Sequence, residues 1–229
     1  MLTTGVKKFD EITGGIPEGS ITMLLGPANI GKSDFCTQFL WEGLKKGHPM
    51  LLILTRGDPK DVINNFEKVG CKIEDYAKKE MVKIIDCYSE FIGIKSARSY
   101  VTKVSGPSDL TALSFQVFNT LKDYQKFQKP VRCVLHSIST LFLYNTPETM
   151  LRFFTHMIGM AKTMNATLIF TLERIIGEEM AHKISELVDG MIEFKVEREL
   201  FLINPQRLGK RLFGQWIQYK LTETGIKLI

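Results

Sequence analysis

The sequence predicts one α/β domain, a mostly parallel, doubly wound sheet with antiparallel β hairpins at its C-terminal edge, and three observations carry that expectation. An apolar, β-branched stretch at residues 21–25 runs directly into Gly26-Pro27-Ala28-Asn29-Ile30-Gly31-Lys32-Ser33, which fits the phosphate-loop pattern G-x-x-x-x-G-K-[ST]. Short apolar runs recur at 50–54, 81–87, 131–135 and 167–172, separated by helical stretches near 110–124 and 147–164. Strands buried on both faces of a parallel sheet read this way. Beyond Asp189 the pattern changes to short strands at 191–196, 200–203, 215–221 and 226–229 with turns between them, which suggests hairpins. The 229 residues are expected to form a single domain, with 1–19 as an entry or lid segment and 190–229 as a C-terminal β extension.

In chain order, Val6, Phe9 and Ile12 fall at helical spacing between two glycine-containing turns, which predicts a short amphipathic helix before the first strand. The segment 34–47 after the phosphate loop carries apolar residues at helical spacing and ends on Gly47. The run at 50–54 leads into Thr55-Arg56-Gly57-Asp58-Pro59 and a helix from about residue 60 to 69. The helix carrying Met150, Phe153, Phe154, Met157, Ile158 and Ala161 reads as core. Residues 90–107 show no clear period and are expected as a surface loop.

Composition narrows the partners. A formal net charge of +5 permits an acidic partner such as nucleic acid without requiring one. Cys36, Cys71, Cys87 and Cys133 form no C-x-x-C pair, so they are expected as buried thiols in a reducing compartment rather than zinc ligands or disulfides. The first residues lack an apolar leader, and no run approaches the roughly 18 apolar residues of a membrane span. A cytoplasmic protein with no membrane association is the expectation.

The phosphate-loop residues have chemical reasons for their spacing. Gly26 lets the chain turn off the strand, and Gly31 lets backbone N–H groups approach phosphate oxygens. Lys32 neutralises the outer phosphates, Ser33 offers a hydroxyl to Mg²⁺, and the following helix aims its N-terminus at the anion.

Further pieces occur in a fixed order: Thr4-Gly5, Phe9-Asp10-Glu11, Gly14-Gly15-Ile16-Pro17-Glu18-Gly19, the phosphate loop, Asp58-Pro59-Lys60-Asp61-Val62, Ser137-Ile138-Ser139, and Leu187-Val188-Asp189-Gly190-Met191-Ile192. With these the chain resembles the KaiC-like branch of the RecA superfamily of ATPases, which includes archaeal RadA paralogues. The resemblance implies a RecA-like fold that binds ATP or ADP through Gly26–Ser33, with Mg²⁺ at Ser33. Against that resemblance the chain shows five departures. Asn29 stands where relatives carry a further glycine, and it tolerates a left-handed backbone. His136 stands at the aspartate that organises Mg²⁺, where a neutral or cationic imidazole is a poor substitute; its plainer reading is a core histidine hydrogen-bonded to neighbouring backbone. Thr55-Arg56-Gly57 replaces the glutamates that polarise water, and arginine cannot serve as a base. Pro205-Gln206-Arg207 keeps one cation of the Lys-x-Arg that reaches a neighbouring subunit's triphosphate, and Glu173 replaces a glutamine that senses the terminal phosphate.

These departures leave no catalytic residue and predict a nucleotide-binding, hydrolysis-deficient regulatory or assembly partner. It would form a homo-oligomer or a hetero-assembly with an active paralogue, with Arg207 as the trans contact. Two alternatives stand beside this reading. One is a slow ATPase using Asp58 or Glu173. The other is a single-stranded-DNA-binding paralogue, in which Arg207, Lys210, Arg211 and Lys220 are interleaved with Phe213, Trp216 and Tyr219.

Overall fold

The computed structural model describes residues 1–94 and 98–229. Its elements in chain order are α1 (Lys7–Thr13), β1 (Ile21–Leu25), α2 (Lys32–Lys45), β2 (Met50–Leu54), α3 (Pro59–Lys68), α4 (Ile73–Ala77) and β3 (Val82–Asp86). They continue with β4 (Val101–Lys103), α5 (Leu110–Tyr124), β5 (Val131–His136), α6 (Ile138–Tyr144), α7 (Pro147–Thr163), β6 (Ala166–Leu172) and α8 (Glu178–Leu187). The chain closes with β7 (Gly190–Glu197), β8 (Leu200–Leu208), β9 (Arg211–Leu212), β10 (Ile217–Thr222) and β11 (Gly225–Leu228).

Among the described residues these strands form one sheet in the order β11-β10-β8-β7-β1-β6-β5-β2-β3-β4, with β9 paired to β8. The strands from β7 to β4 run parallel, and β8, β10 and β11 continue the sheet antiparallel. The C-terminal extension forms antiparallel strands at that edge as expected, and its first strand, β7, also joins the parallel part of the sheet beside β1. In that pairing Met23 lies opposite Met191 on one side and Phe170 on the other.

Alternation along β1 explains why every residue of that strand is buried. Leu24 points into one apolar layer with Phe35, Phe39, Leu40, Leu52 and Phe66. Met23 and Leu25 point into the opposite layer with Leu113, Val117, Phe154 and Met157. Successive side chains of a strand face opposite ways, so a strand covered on both faces gains from each residue. Each such Leu, Ile or Phe contributes about 1.5–3 kcal/mol.

Several expectations are corrected by packing. Ile12 is exposed, and Thr13 takes the buried position on α1 instead. The segment 1–19, expected as an entry or lid segment, is tied to the core at several points. The rings of Phe9 and Phe35 meet edge to face at 5.3 Å, Leu2 pairs with Ile16, and Asp10 accepts hydrogen bonds from the Thr4 and Gly5 amides. Arg132, fully buried on β5, donates from Nη1 to the carbonyls of Thr3 and Phe39 at 2.7 Å each. Within the expected loop at 90–107, β4 adds a strand beside β3, while residues 95–97 lie outside the described residues. No described helix is long and apolar enough to cross a membrane.

The order of the parallel strands matters most for the site. It brings the C-terminal ends of β1, β2, β5 and β6 to one rim, where crevices between strand-end loops form in open α/β sheets.

Candidate functional site

At that rim β1 ends and the chain turns through Gly26 to Gly31 before α2 begins at Lys32. Asn29 takes φ +56° and Gly31 φ +89°, so two left-handed positions curl the loop back on itself. No side chain caps α2 at its N-terminus. Uncapped N–H groups at a helix start favour an anion. The residues of the loop thus fit a phosphate group by their own geometry.

Two glycines are required by contacts that the motif does not reveal. A Cβ on Gly26 would lie 2.5 Å from the carbonyl oxygen of Phe194 on β7. One on Gly31 would lie 2.6 Å from Leu221 and 2.9 Å from Ile226 of the β10–β11 hairpin. The Tyr219 hydroxyl of β10 also donates to the Ile30 carbonyl, so the C-terminal hairpin braces the phosphate loop directly.

Lys32 is buried. Its ammonium donates to the Gly26 carbonyl at 2.7 Å and to that of Pro27, and it stands 3.9 Å from the carboxylate of Glu173 at the end of β6. Burial, reinforced by Arg56, takes its pKa down to about 8, with Glu173 opposing. Glu173 is itself buried and is held on several sides. Its Oε1 accepts from Arg56 Nη2 at 3.1 Å, its Oε2 from the Ser137 hydroxyl at 2.9 Å, and its backbone N–H donates to Ser139 Oγ at 2.8 Å. Burial raises the Glu173 carboxyl, but the Ser139 and Ser137 hydroxyls with Arg56 and Lys32 outweigh it and keep the group below the usual carboxylate range. The acidic side chain is therefore offset by Arg56 and Lys32. Arg174 pairs elsewhere, with Glu178 and Glu193.

His136 is not hydrogen-bonded to backbone as a plain core histidine would be. Its Nε2 lies 3.0 Å from Ser33 Oγ and its Nδ1 2.8 Å from Thr171 Oγ1. Burial, with Arg56 nearby, takes its pKa down to about 4, so the ring is neutral at pH 7. The hydroxyl expected to meet Mg²⁺ is thus engaged by an imidazole, and no group of three His, Cys, Asp or Glu among the described residues could hold a metal. A hydroxyl facing a neutral imidazole is a poor donor set for Mg²⁺ at Ser33.

The remaining candidates are placed as follows. Asp58, the alternative base, caps α3, its Oδ1 accepting from the Lys60 N–H at 2.8 Å. Arg207 donates to the carbonyls of Ser185 at 2.8 Å and Val188 at 2.7 Å behind α8, so its guanidinium is committed within its own chain. Of the basic and aromatic stretch, Arg211 bonds the Thr13 carbonyl and Tyr219 is buried, while Lys210, Trp216 and Lys220 remain at the surface.

Two cavities meet at the loop. One of about 220 Å³ lies over Gly31–Asp34 and is bounded by Arg56, Asn65 and His136. Another of about 500 Å³ shares Ser33, Arg56, Asn65 and His136 and reaches to Tyr88. Sequence reading missed Asn65 and Thr171, because neither carries a motif and both reach the site only through strand order and helix packing.

The family model described as the KaiC ATPase matches residues 2–207. The chain is 28% identical over 198 residues to a UPF0273 protein of Pyrococcus horikoshii, covering 85% of this chain and 77% of that one. It is 30% identical over 199 residues to a UPF0273 protein of Saccharolobus solfataricus, covering 85% of this chain and 68% of the other. In structure it is similar to a KaiC-like protein of Pyrococcus horikoshii, with a TM-score of 0.77, 19% identity, and coverage of 99% and 97% of the two chains. At that identity the likeness carries the fold.

Proposed function

The chain belongs to the KaiC family of ATPases, and from that premise we propose that it binds ATP or ADP through Gly26–Ser33 without appreciable hydrolysis. Its role is that of a cytoplasmic regulatory or assembly partner, as a homo-oligomer or with an active paralogue. One observation carries this reading: the phosphate loop keeps its lysine and its uncapped helix start, while Glu173, Asp58 and His136 are engaged otherwise. Glu173 is tied to Arg56, Ser137 and Lys32, Asp58 caps a helix, and His136 bonds Ser33 and Thr171. Phosphoryl transfer rests mainly on positioning and on neutralising charge, and a site whose Glu173 and Asp58 are engaged and whose His136 stands at the metal-organising position supplies little of either. The loop amides and Lys32 would hold the phosphates, and the adjoining cavity is roomy enough for the rest of a nucleotide.

Calorimetry with ATP and ADP, paired with a phosphate-release assay, tests the reading. Binding weakened roughly tenfold or more by Lys32→Ala supports the site. Turnover approaching about one per second and abolished by the same substitution overturns the inactive reading. Sedimentation with and without nucleotide tests assembly, and a strict monomer in both states argues against it. Because Arg207 is held by its own chain, Arg207→Ala is expected to destabilise the α8–β8 junction whether or not a neighbour is present.

A further inference from the structure

We propose that Glu173 makes this pocket select a nucleoside diphosphate over the corresponding triphosphate, its fixed carboxylate standing in for the terminal phosphate. The inference rests on the nucleotide-binding reading above and adds the class of nucleotide.

The site already contains an anion of its own. Glu173 Oε1 lies 3.1 Å from Arg56 Nη2 and 3.9 Å from Lys32 Nζ. Arg56 and Lys32 are the cations that border the small cavity over the loop. Both are therefore partly neutralised before any ligand arrives. The carboxylate cannot readily swing away, since Ser137 Oγ holds its other oxygen at 2.9 Å and the surrounding chain buries it. Nor does it escape by taking up a proton, because its hydroxyl and cationic neighbours favour the charged form.

A terminal phosphoryl group entering this cavity would bring further negative charge toward the same two cations. It would share them with Glu173 at separations where like charges in a half-buried site repel appreciably. Divalent metal normally relieves that repulsion, but here Ser33 is bonded to His136, and among the described residues no group of three His, Cys, Asp or Glu could hold a metal. A diphosphate lacks the extra group. It can use the loop amides and the N-terminus of α2 while leaving the Glu173–Arg56 pair intact.

Calorimetry on the full chain with ADP and ATP, in chelator and again in magnesium, decides the matter. The expected result is ADP bound at least about tenfold tighter than ATP, with Glu173→Gln bringing the two within about threefold, chiefly by tightening ATP. ATP bound as tightly as ADP by the wild-type chain overturns the proposal and leaves the site itself intact. Failure of both nucleotides to bind overturns the site and the proposal together. A ratio unchanged in a folded Glu173→Gln protein also overturns it. Should that variant not fold, Arg56→Gln serves, because its side chain is 42% exposed and its loss leaves Glu173 less neutralised. The preference for ADP is then expected to widen, and an unchanged or narrower preference overturns the proposal.

Discussion

Ser33 Oγ and His136 Nε2 stand 3.0 Å apart, joining the start of α2 to the end of β5 by a hydrogen bond. On the far side of the ring Nδ1 is 2.8 Å from Thr171 Oγ1 on β6, so the imidazole is pinned between two hydroxyls and its orientation is fixed. A phosphate-loop serine that is free to meet a metal needs an oxygen-rich neighbour, and this one has a neutral ring.

Replacing that ring tests the consequence. His136→Asp supplies a hard oxygen ligand and releases the serine, so nucleotide affinity in the variant should become magnesium-dependent, rising several-fold on adding the ion. The wild-type affinity should change less than about twofold. Titrations in chelator and in magnesium measure both.

Lys32 sets a pH dependence. Its pKa lies at about 8 because burial disfavours the ammonium, whereas the unfolded chain holds the proton up to the ordinary lysine value. Between these values the unfolded state binds more protons than the folded one, so this group makes stability rise with pH in that window. Ligand binding runs the opposite way. A bound phosphate favours charged lysine, so affinity should fall as pH rises through about 8, with proton uptake on binding above that pH. Calorimetry in buffers of different ionisation heat reads the uptake, which should vanish in Lys32→Ala.

Tyr219→Phe removes the hydroxyl that donates to the Ile30 carbonyl while leaving the ring packed between Phe194 and Phe201. A net cost of about 1 kcal/mol is expected, together with the loss of one brace on the phosphate loop. Tm should fall by about 2–4 °C, and nucleotide affinity should drop by a few-fold as the loop loosens. An unchanged affinity beside a lowered Tm would confine the hydroxyl's role to stability.

Arg132→Ala should be far more damaging. The side chain is fully buried, lies over the Phe39 ring at 4.5 Å and ties the Thr3 carbonyl to the core, with Gly43 kept free of a side chain to admit it. Truncation leaves a cavity and takes the guanidinium partner from the Thr3 carbonyl, while the Phe39 carbonyl keeps its helical bond, for an expected loss of about 3–5 kcal/mol. Denaturant melts should show the lowered midpoint, and proteolysis should open first near residues 1–5.

Local pattern told a good deal about this chain. The apolar run of β2 was legible residue for residue, because a strand buried on both faces leaves no polar interruption. The phosphate loop was legible because phosphate binding demands fixed residue types at fixed spacing. β4 was not, since its three residues are only half-buried and leave no period to read, and at α1 Val6 and Phe9 are buried as their spacing predicts while Thr13 rather than Ile12 completes that face.

The sequence by itself determined the class of fold and the loop that meets phosphate, because both are written in contiguous residues. Only the tertiary structure decided that Glu173 faces Lys32 and Arg56, that His136 holds Ser33, and that Gly31 must be bare for Leu221 and Ile226 to pack. Each of these pairs joins segments far apart in the chain. They meet because parallel strand order carries the ends of β1, β2, β5 and β6 to one rim and folds the C-terminal hairpin over the loop, and no period within a single segment records which distant residue will face it.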